Sequence, residues 1–179
     1  MPDRRTLLLD AALAVVAEKG MKGLTHRAVD TAASLSEGTT SNYYRNRAAL
    51  VDATLDRLLE LDAALLREQG PAGPPKDATE LANQLASMVV MLAGRYAGLT
   101  RARLALSLDR PDSVTAGHFQ LVGGLEHALA ALGVQDAKAR ARDVADYGDG
   151  VLLHLLTVRR DEQPDVAAIA AAVRRLVGT

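Results

Sequence analysis

"SLSEGTTSNYYRNR" fills residues 34–47, and this most polar stretch of the chain holds an adjacent tyrosine pair, Tyr43 and Tyr44. Only three other aromatic side chains, Tyr96, Phe119 and Tyr147, occur in the 179 residues. Immediately upstream, Thr25 is a favourable N-cap for a helix carrying Ala28, Val29, Ala32 and Ala33. A break at residues 34–36 leads to a second short helix, over about residues 37–44. Two short helices joined by a tight turn, the second of them polar, predict a helix-turn-helix. Small apolar residues on the first let the second cross close over it, and Leu35 in the turn plugs the core between them. Thr40 and Tyr44, four residues apart, share one side of the second helix and face inward. Glu37, Thr39, Ser41, Asn42 and Tyr43 remain on the outward arc.

That arc suits a reader of the DNA major groove. Asn42 can bind adenine through two hydrogen bonds, Ser36, Thr39 and Ser41 can contact bases or phosphates, and a threonine methyl can meet a thymine methyl. Gly38, without a side chain, lets the helix start come close to a phosphate. Tyr43 faces out, where its ring and hydroxyl can meet the DNA backbone. Arg47 falls in the first turn of the next helix, where a cation opposes the helix dipole at a cost of roughly 0.3–1 kcal/mol. A docked phosphate would reverse the sign of that term. Thr25 offers a hydroxyl and free backbone N–H groups to another phosphate, with Arg27 just inside the same helix. The competing reading is a merely solvated helix face, since many helix-turn-helix units bind no DNA.

Outward from this motif the chain reads as all-α, with about nine helices and no convincing period-two alternation. The first covers about residues 4–19 and ends at Gly20; the helix capped by Asn46 runs to about residue 68. "QGPAGPPKD" (residues 69–77) then breaks the chain, because five of its nine residues are Gly or Pro. Asp77 and Glu80 form a capping box for a fifth helix to about residue 95. Thr100 caps a sixth, stopped by Pro111; a seventh covers about 114–132, an eighth 136–160, and Pro164 opens a ninth, to about 177.

Composition narrows the function classes. Half of the residues (49%) are hydrophobic, as a globular core requires, and the chain has no cysteine, which removes disulfides, thiolate zinc sites and cysteine nucleophiles. Net charge is −1, but residues 1–50 hold seven Lys/Arg against five Asp/Glu, leaving 14 against 17 for the remainder. No hydrophobic leader occurs and no apolar run approaches the roughly 20 residues needed to span a bilayer, so a cytoplasmic protein without a membrane partner is expected. His118, His127 and His154 match no common metal-ligand spacing, and no P-loop, nucleotide fingerprint or nucleophile elbow is present. Neither metal, cofactor nor catalysis is expected.

Gly20, "LTHRAVDTAA" (residues 24–33) and "SEGTTSNYYRNRAAL" (residues 36–50) resemble the N-terminal domain of TetR-type transcriptional regulators. Ala33, Leu35, Ser36, Gly38, Thr39 and Leu50 fit the family pattern; Tyr44 stands at its inward Phe and Arg47 at its phosphate-binding Lys. Departures are Ser34 for Gly, Thr40 for Leu, Ser41 at the first Tyr and Tyr43 at the frequent His, and they bear on the operator sequence. The resemblance implies a DNA-binding domain over residues 1–47 and a ligand-binding and dimerisation domain over 48–179. It implies a pocket enclosed by helices five to seven for a small, largely apolar effector. Candidate lining residues are Met88, Leu92, Tyr96, Arg103, Ser107, Phe119, Val122, Tyr147 and Val151, many of which would serve equally as ordinary core.

It also implies a homodimer through helices eight and nine, and the sequence supports this independently. Ile169, Ala170, Val173, Leu176 and Val177 form a stripe flanked by further alanines, and Leu152, Leu155 and Leu156 give the eighth helix the same character. A helix apolar nearly all round needs burial on two sides. The expected function is therefore a homodimeric repressor on a palindromic double-stranded DNA operator, released by ligand. The alternative is an all-helical carrier or enzyme that keeps the fold without binding DNA.

Overall fold

The computed structural model describes residues 3–70 and 73–178, and within 113–116 the path of the chain alone. Among the described residues all regular structure is helical: α1 Arg4–Gly23, α2 His26–Ala32, α3 Thr39–Tyr43, α4 Arg47–Gln69, α5 Ala78–Ala93, α6 Ala97–Asp109, α7 Pro111–Ala131, α8 Ala137–Leu156 and α9 Val166–Val177.

Local chemistry explains most of these limits. Thr25 Oγ1 accepts from Ala28 N–H at 3.1 Å and Asn46 Oδ1 from Ala49 N–H at 2.9 Å, so both expected caps are formed. Gly20 breaks α1 with φ of 66°, and a last turn continues beyond it to Gly23. α3 is shorter than its expected span because Gly38, at φ 92°, is its N-cap rather than part of the helix. Asp77 Oδ1 accepts from Glu80 N–H at 2.8 Å, while the Glu80 carboxylate reaches back one residue further than a capping box requires, to Lys76 N–H at 2.9 Å.

Several boundaries differ from the sequence reading. Thr100 lies inside α6 and is buried, so the helix starts before it, at Ala97. Pro111 opens α7 as its first residue, where its missing N–H would have no partner in any case. The cap of α9 is Asp165, accepting from Ala168 N–H at 3.0 Å, which leaves Pro164 outside the helix. α8 ends at Leu156, short of residue 160.

The chain divides into two compact units, Met1–Gly70 with Gly98–Pro111, and Pro71–Ala97 with Asp112–Thr179. In the first, α1 packs on α2 and α4 around the fully buried Leu8, Leu24, Val29, Leu50 and Leu58. Ion pairs fasten its helices: Arg57 Nε to Asp10 at 2.8 Å joins α4 to α1, Arg103 with Asp62 joins α6 to α4, and Arg110, just after α6, pairs with Asp52 of α4. In the second, α5 packs on α8 and α9, and Leu81, Ala86, Val89, Leu129, Val144, Leu155, Ile169 and Val173 form the buried centre.

Candidate nucleic-acid interface

The interface begins with how α2 holds α3. Asp30 is buried, with 2% of its surface exposed, on the side of α2 that faces the turn. Its Oδ1 accepts from Thr40 N–H at 2.7 Å and from the Thr40 hydroxyl at 2.5 Å; its Oδ2 accepts from Gly38 N–H at 2.8 Å. Burial alone would push the carboxyl up, but the Thr40 and Gly38 donors, helped by His26, outweigh it and hold the group below its ordinary value of 3.8. Four residues earlier, His26 Nε2 lies 2.7 Å from the Tyr44 carbonyl oxygen, which can only accept, so this nitrogen carries the proton. Neither His26 nor Asp30 was anticipated as a functional residue. The readable signal was an acid placed within the apolar run of α2, one turn after a histidine.

With that inner side fixed, Thr40 is wholly buried and Tyr44 nearly so, as their spacing required. Ala32, expected inside α2, is exposed, because the inward positions on that turn belong to Val29 and Asp30. Among the described residues the buried Tyr44 hydroxyl has no hydrogen-bond partner, and burial raises the phenol above its ordinary value.

The outward residues have separate situations. Ser41, Asn42 and Tyr43 are exposed, Tyr43 by 40%. The Ser41 hydroxyl donates to Gly38 C=O at 2.8 Å, and the Thr39 hydroxyl, half-buried, donates to Ser36 C=O at 2.6 Å. The hydroxyl of Thr25, exposed, is engaged as the α2 cap. Arg27 is exposed and stands 4.0 Å from Glu37, an ion pair too solvated to hold it in place. The Gly38 amide donates to Asp30, so Gly38 has only its lack of a side chain to offer an approaching phosphate. Arg47, exposed at the start of α4, donates through Nη2 to Met21 C=O at 2.6 Å, which ties α4 to the end of α1 and leaves its other N–H groups to solvent.

The residues expected around a ligand are divided between the two units. Arg103 and Ser107 belong to the first unit, and the Arg103 guanidinium donates to the Asp62 carboxylate. In the second unit Val122, Tyr147 and Val151 pack on the apolar core, Met88, Leu92 and Tyr96 are half-buried, and Phe119 is 66% exposed. An open cleft of about 480 Å³ lined by Ala14, Ala17, Glu18, Gly98 and Arg101 includes none of them.

The residues expected at a dimer interface separate in a similar way. Ile169, Ala170, Val173 and Val177, with Leu155, are spent inside the chain's own core, because this stripe of α9 lies on α5 and α8. Leu156 is also buried, and Leu152 and Leu176 are half-buried at the edge of the core. The apolar side chains left outside are Leu153, Val158 and Val166, exposed by 47%, 76% and 39%. Among the described residues no three His, Asp or Glu side chains gather as a metal site needs, and no helix is long and apolar enough to cross a membrane.

Comparison with known proteins places this geometry. Residues 8–54, which span α1, α2, α3 and the start of α4, match the family of bacterial regulatory proteins of the tetR type. The chain is 29% identical over 185 residues to the HTH-type transcriptional repressor KstR of Mycolicibacterium smegmatis, covering 99% of this chain and 88% of that protein. A TetR-like transcriptional regulator from Rhodococcus sp. RHA1 superposes with a TM-score of 0.77 at 20% identity, covering 99% and 96% of the two chains. The multidrug binding protein EbrR in complex with ethidium does so with a TM-score of 0.68 at 25% identity, covering 99% and 100%. Residues 8–54 thus carry a domain of the tetR type, and the chain as a whole is similar in sequence and in fold to TetR-type bacterial transcriptional regulators.

Proposed function

We propose that the chain is a repressor that binds a palindromic operator as a homodimer and leaves it when a small, largely apolar molecule binds. The observation that carries the reading is α3: its inner side is fixed to α2, and its outer side presents Ser41, Asn42 and Tyr43 to solvent. Residues 1–47 hold the DNA contacts, from Thr25, Arg27, Ser36, Thr39, Ser41, Asn42, Tyr43 and Arg47, with Gly38 shaping the turn. Residues 48–179 hold ligand binding and dimerisation. Two copies of α3 would enter successive major grooves, about 34–36 Å apart. The exposed Leu153 on α8, Val158 just after it and Val166 at the start of α9 support a partner covering that side of the chain. The likeness to a multidrug binding protein crystallised with ethidium supports an apolar effector, which acts only if it prefers one of two protein states.

Selection of bound sequences from random duplex DNA by the purified protein tests this directly. An inverted repeat is the expected product; no enrichment, with a small apolar ligand still bound, would favour the carrier reading. Asn42→Ala should abolish the preference while the dimer persists. Arg47→Ala should weaken all sequences alike and lower the salt slope by about one. A monomer by light scattering at micromolar concentration would overturn the dimer.

A further inference from the structure

α3 has five residues, too few to fix their own geometry, since a first helical turn orders several dihedral angles for a single hydrogen bond. Its direction has to come from outside, and α2 supplies it at both ends. At the start, the buried Asp30 carboxylate takes the Gly38 and Thr40 amides and the Thr40 hydroxyl. At the end, His26 donates to the carbonyl of Tyr44, the C-cap. The two side chains lie four apart on α2, hence on one face of it. Tyr44 and Thr40 supply buried surface between these points, but apolar adhesion is non-directional and fixes no angle.

We propose that His26 and Asp30 are positioning residues for DNA reading, a two-ended clamp that sets how α3 presents Ser41 and Asn42 to base edges. The inference rests on α3 being the reading element, as in the preceding subsection. Paired hydrogen bonds to a base require placement within about 0.5 Å. Contacts with phosphates from Thr25, Arg27 and Arg47 start on α2 and α4 and do not pass through the clamp. Loosening it should therefore erase discrimination between sequences before it weakens attachment to DNA as such. Asp30→Asn tests one end, because an amide offers a single acceptor oxygen; its NH2 must face either Gly38 N–H or the Thr40 donors. His26→Leu and His26→Gln test the other end, the first removing the donor and the second keeping one.

The full-length protein and its three variants would be titrated against the selected operator, its single-base variants and a random duplex at one salt concentration, with thermal melts alongside. Asp30→Asn and His26→Leu are expected to weaken operator binding about 10- to 100-fold, the range set by hydrogen bonds to charged groups, and to shrink the single-base penalties. Random-duplex binding should stay within about threefold. His26→Gln should keep wild-type discrimination. Unchanged single-base penalties in Asp30→Asn and His26→Leu would overturn the clamp; so would parallel loss of operator and random DNA, the mark of a general structural role. If Asp30→Asn fails to fold, the two His26 variants decide, and equal discrimination by both overturns it. A wild-type protein that selects no sequence would overturn the reading of α3 and the clamp with it. Discrimination by wild type and variants alike would overturn the clamp alone.

Discussion

α3 and α9 are both short, and both owe their conformation to neighbours, yet opposite kinds of force hold them. α9 is fixed by area: Ile169, Ala170, Val173 and Val177 disappear into apolar surface from α5 and α8. α3 is fixed by direction, through a carboxylate with three donors and an imidazole on a carbonyl. Apolar burial scales with the surface removed from water and tolerates small slips, whereas a hydrogen bond weakens steeply as its angle departs from linear. A helix that only has to stay attached can rely on the first. A helix that must present particular side chains to particular base edges gains from the second, even at the cost of burying a charge.

Truncating the apolar side should have the largest effect on stability. Ile169→Ala is expected to cost about 2–5 kcal/mol in chemical denaturation, the range for a large buried aliphatic side chain. A cost below about 1 kcal/mol would break the account of α9. On the polar side, Asp30→Asn should cost about 1.5–3 kcal/mol at neutral pH. Its signature is pH. The folded carboxyl titrates below its unfolded value near 3.9, so its stabilisation is complete above that value and is lost as pH falls through the folded one. The gap between wild type and Asp30→Asn should therefore narrow below about pH 4. A gap that persists undiminished to pH 2 would mean that the charge does not anchor α3.

The same contrast decides what could be read from the sequence. Apolar periodicity located nearly every helix, and short-range caps such as Thr25, Asn46 and Asp77 set their starts, because both signals lie within a few residues. Thr40 and Tyr44 were legible as inward positions from their spacing. Asp30 was not, since its meaning depends on partners eight and ten residues away across a turn. The partner of Arg103 was not legible for the same reason: Asp62 is 41 residues distant, and nothing local distinguishes an arginine in an ion pair from one awaiting a ligand. The α9 stripe was recognised as apolar, but periodicity does not say whether the chain itself or a second copy covers it. Its burial on α5 is a tertiary fact.

Two smaller effects sharpen the comparison at the turn. Among the described residues the buried Tyr44 hydroxyl has no partner, so it lies where area alone is at work. Tyr44→Phe should leave the packing intact, stabilise the protein by about 1 kcal/mol and raise Tm by about 2–4 °C in a thermal melt. A fall in Tm would show that the hydroxyl is hydrogen-bonded in solution, for instance to a buried water.

Ser34 makes the opposite case, because its strain lies in the backbone and not in any contact. Its φ of 55° is a left-handed conformation that costs an L-residue roughly 1–2 kcal/mol. The neighbouring bonds, Ser34 N–H to Thr31 C=O at 3.1 Å and Leu35 N–H to Asp30 C=O at 2.9 Å, require that geometry. Ser34→Gly would relieve the strain while giving the unfolded chain extra freedom worth about 0.4–1 kcal/mol, so the net gain should lie between about 0 and 1.6 kcal/mol. The sign carries the information. A gain means that the hydrogen bonds of α2 already hold the turn in its left-handed form and the serine only opposes them. A loss means that the side chain helps restrict the turn, and that Asp30 and His26 do not set the direction of α3 unaided.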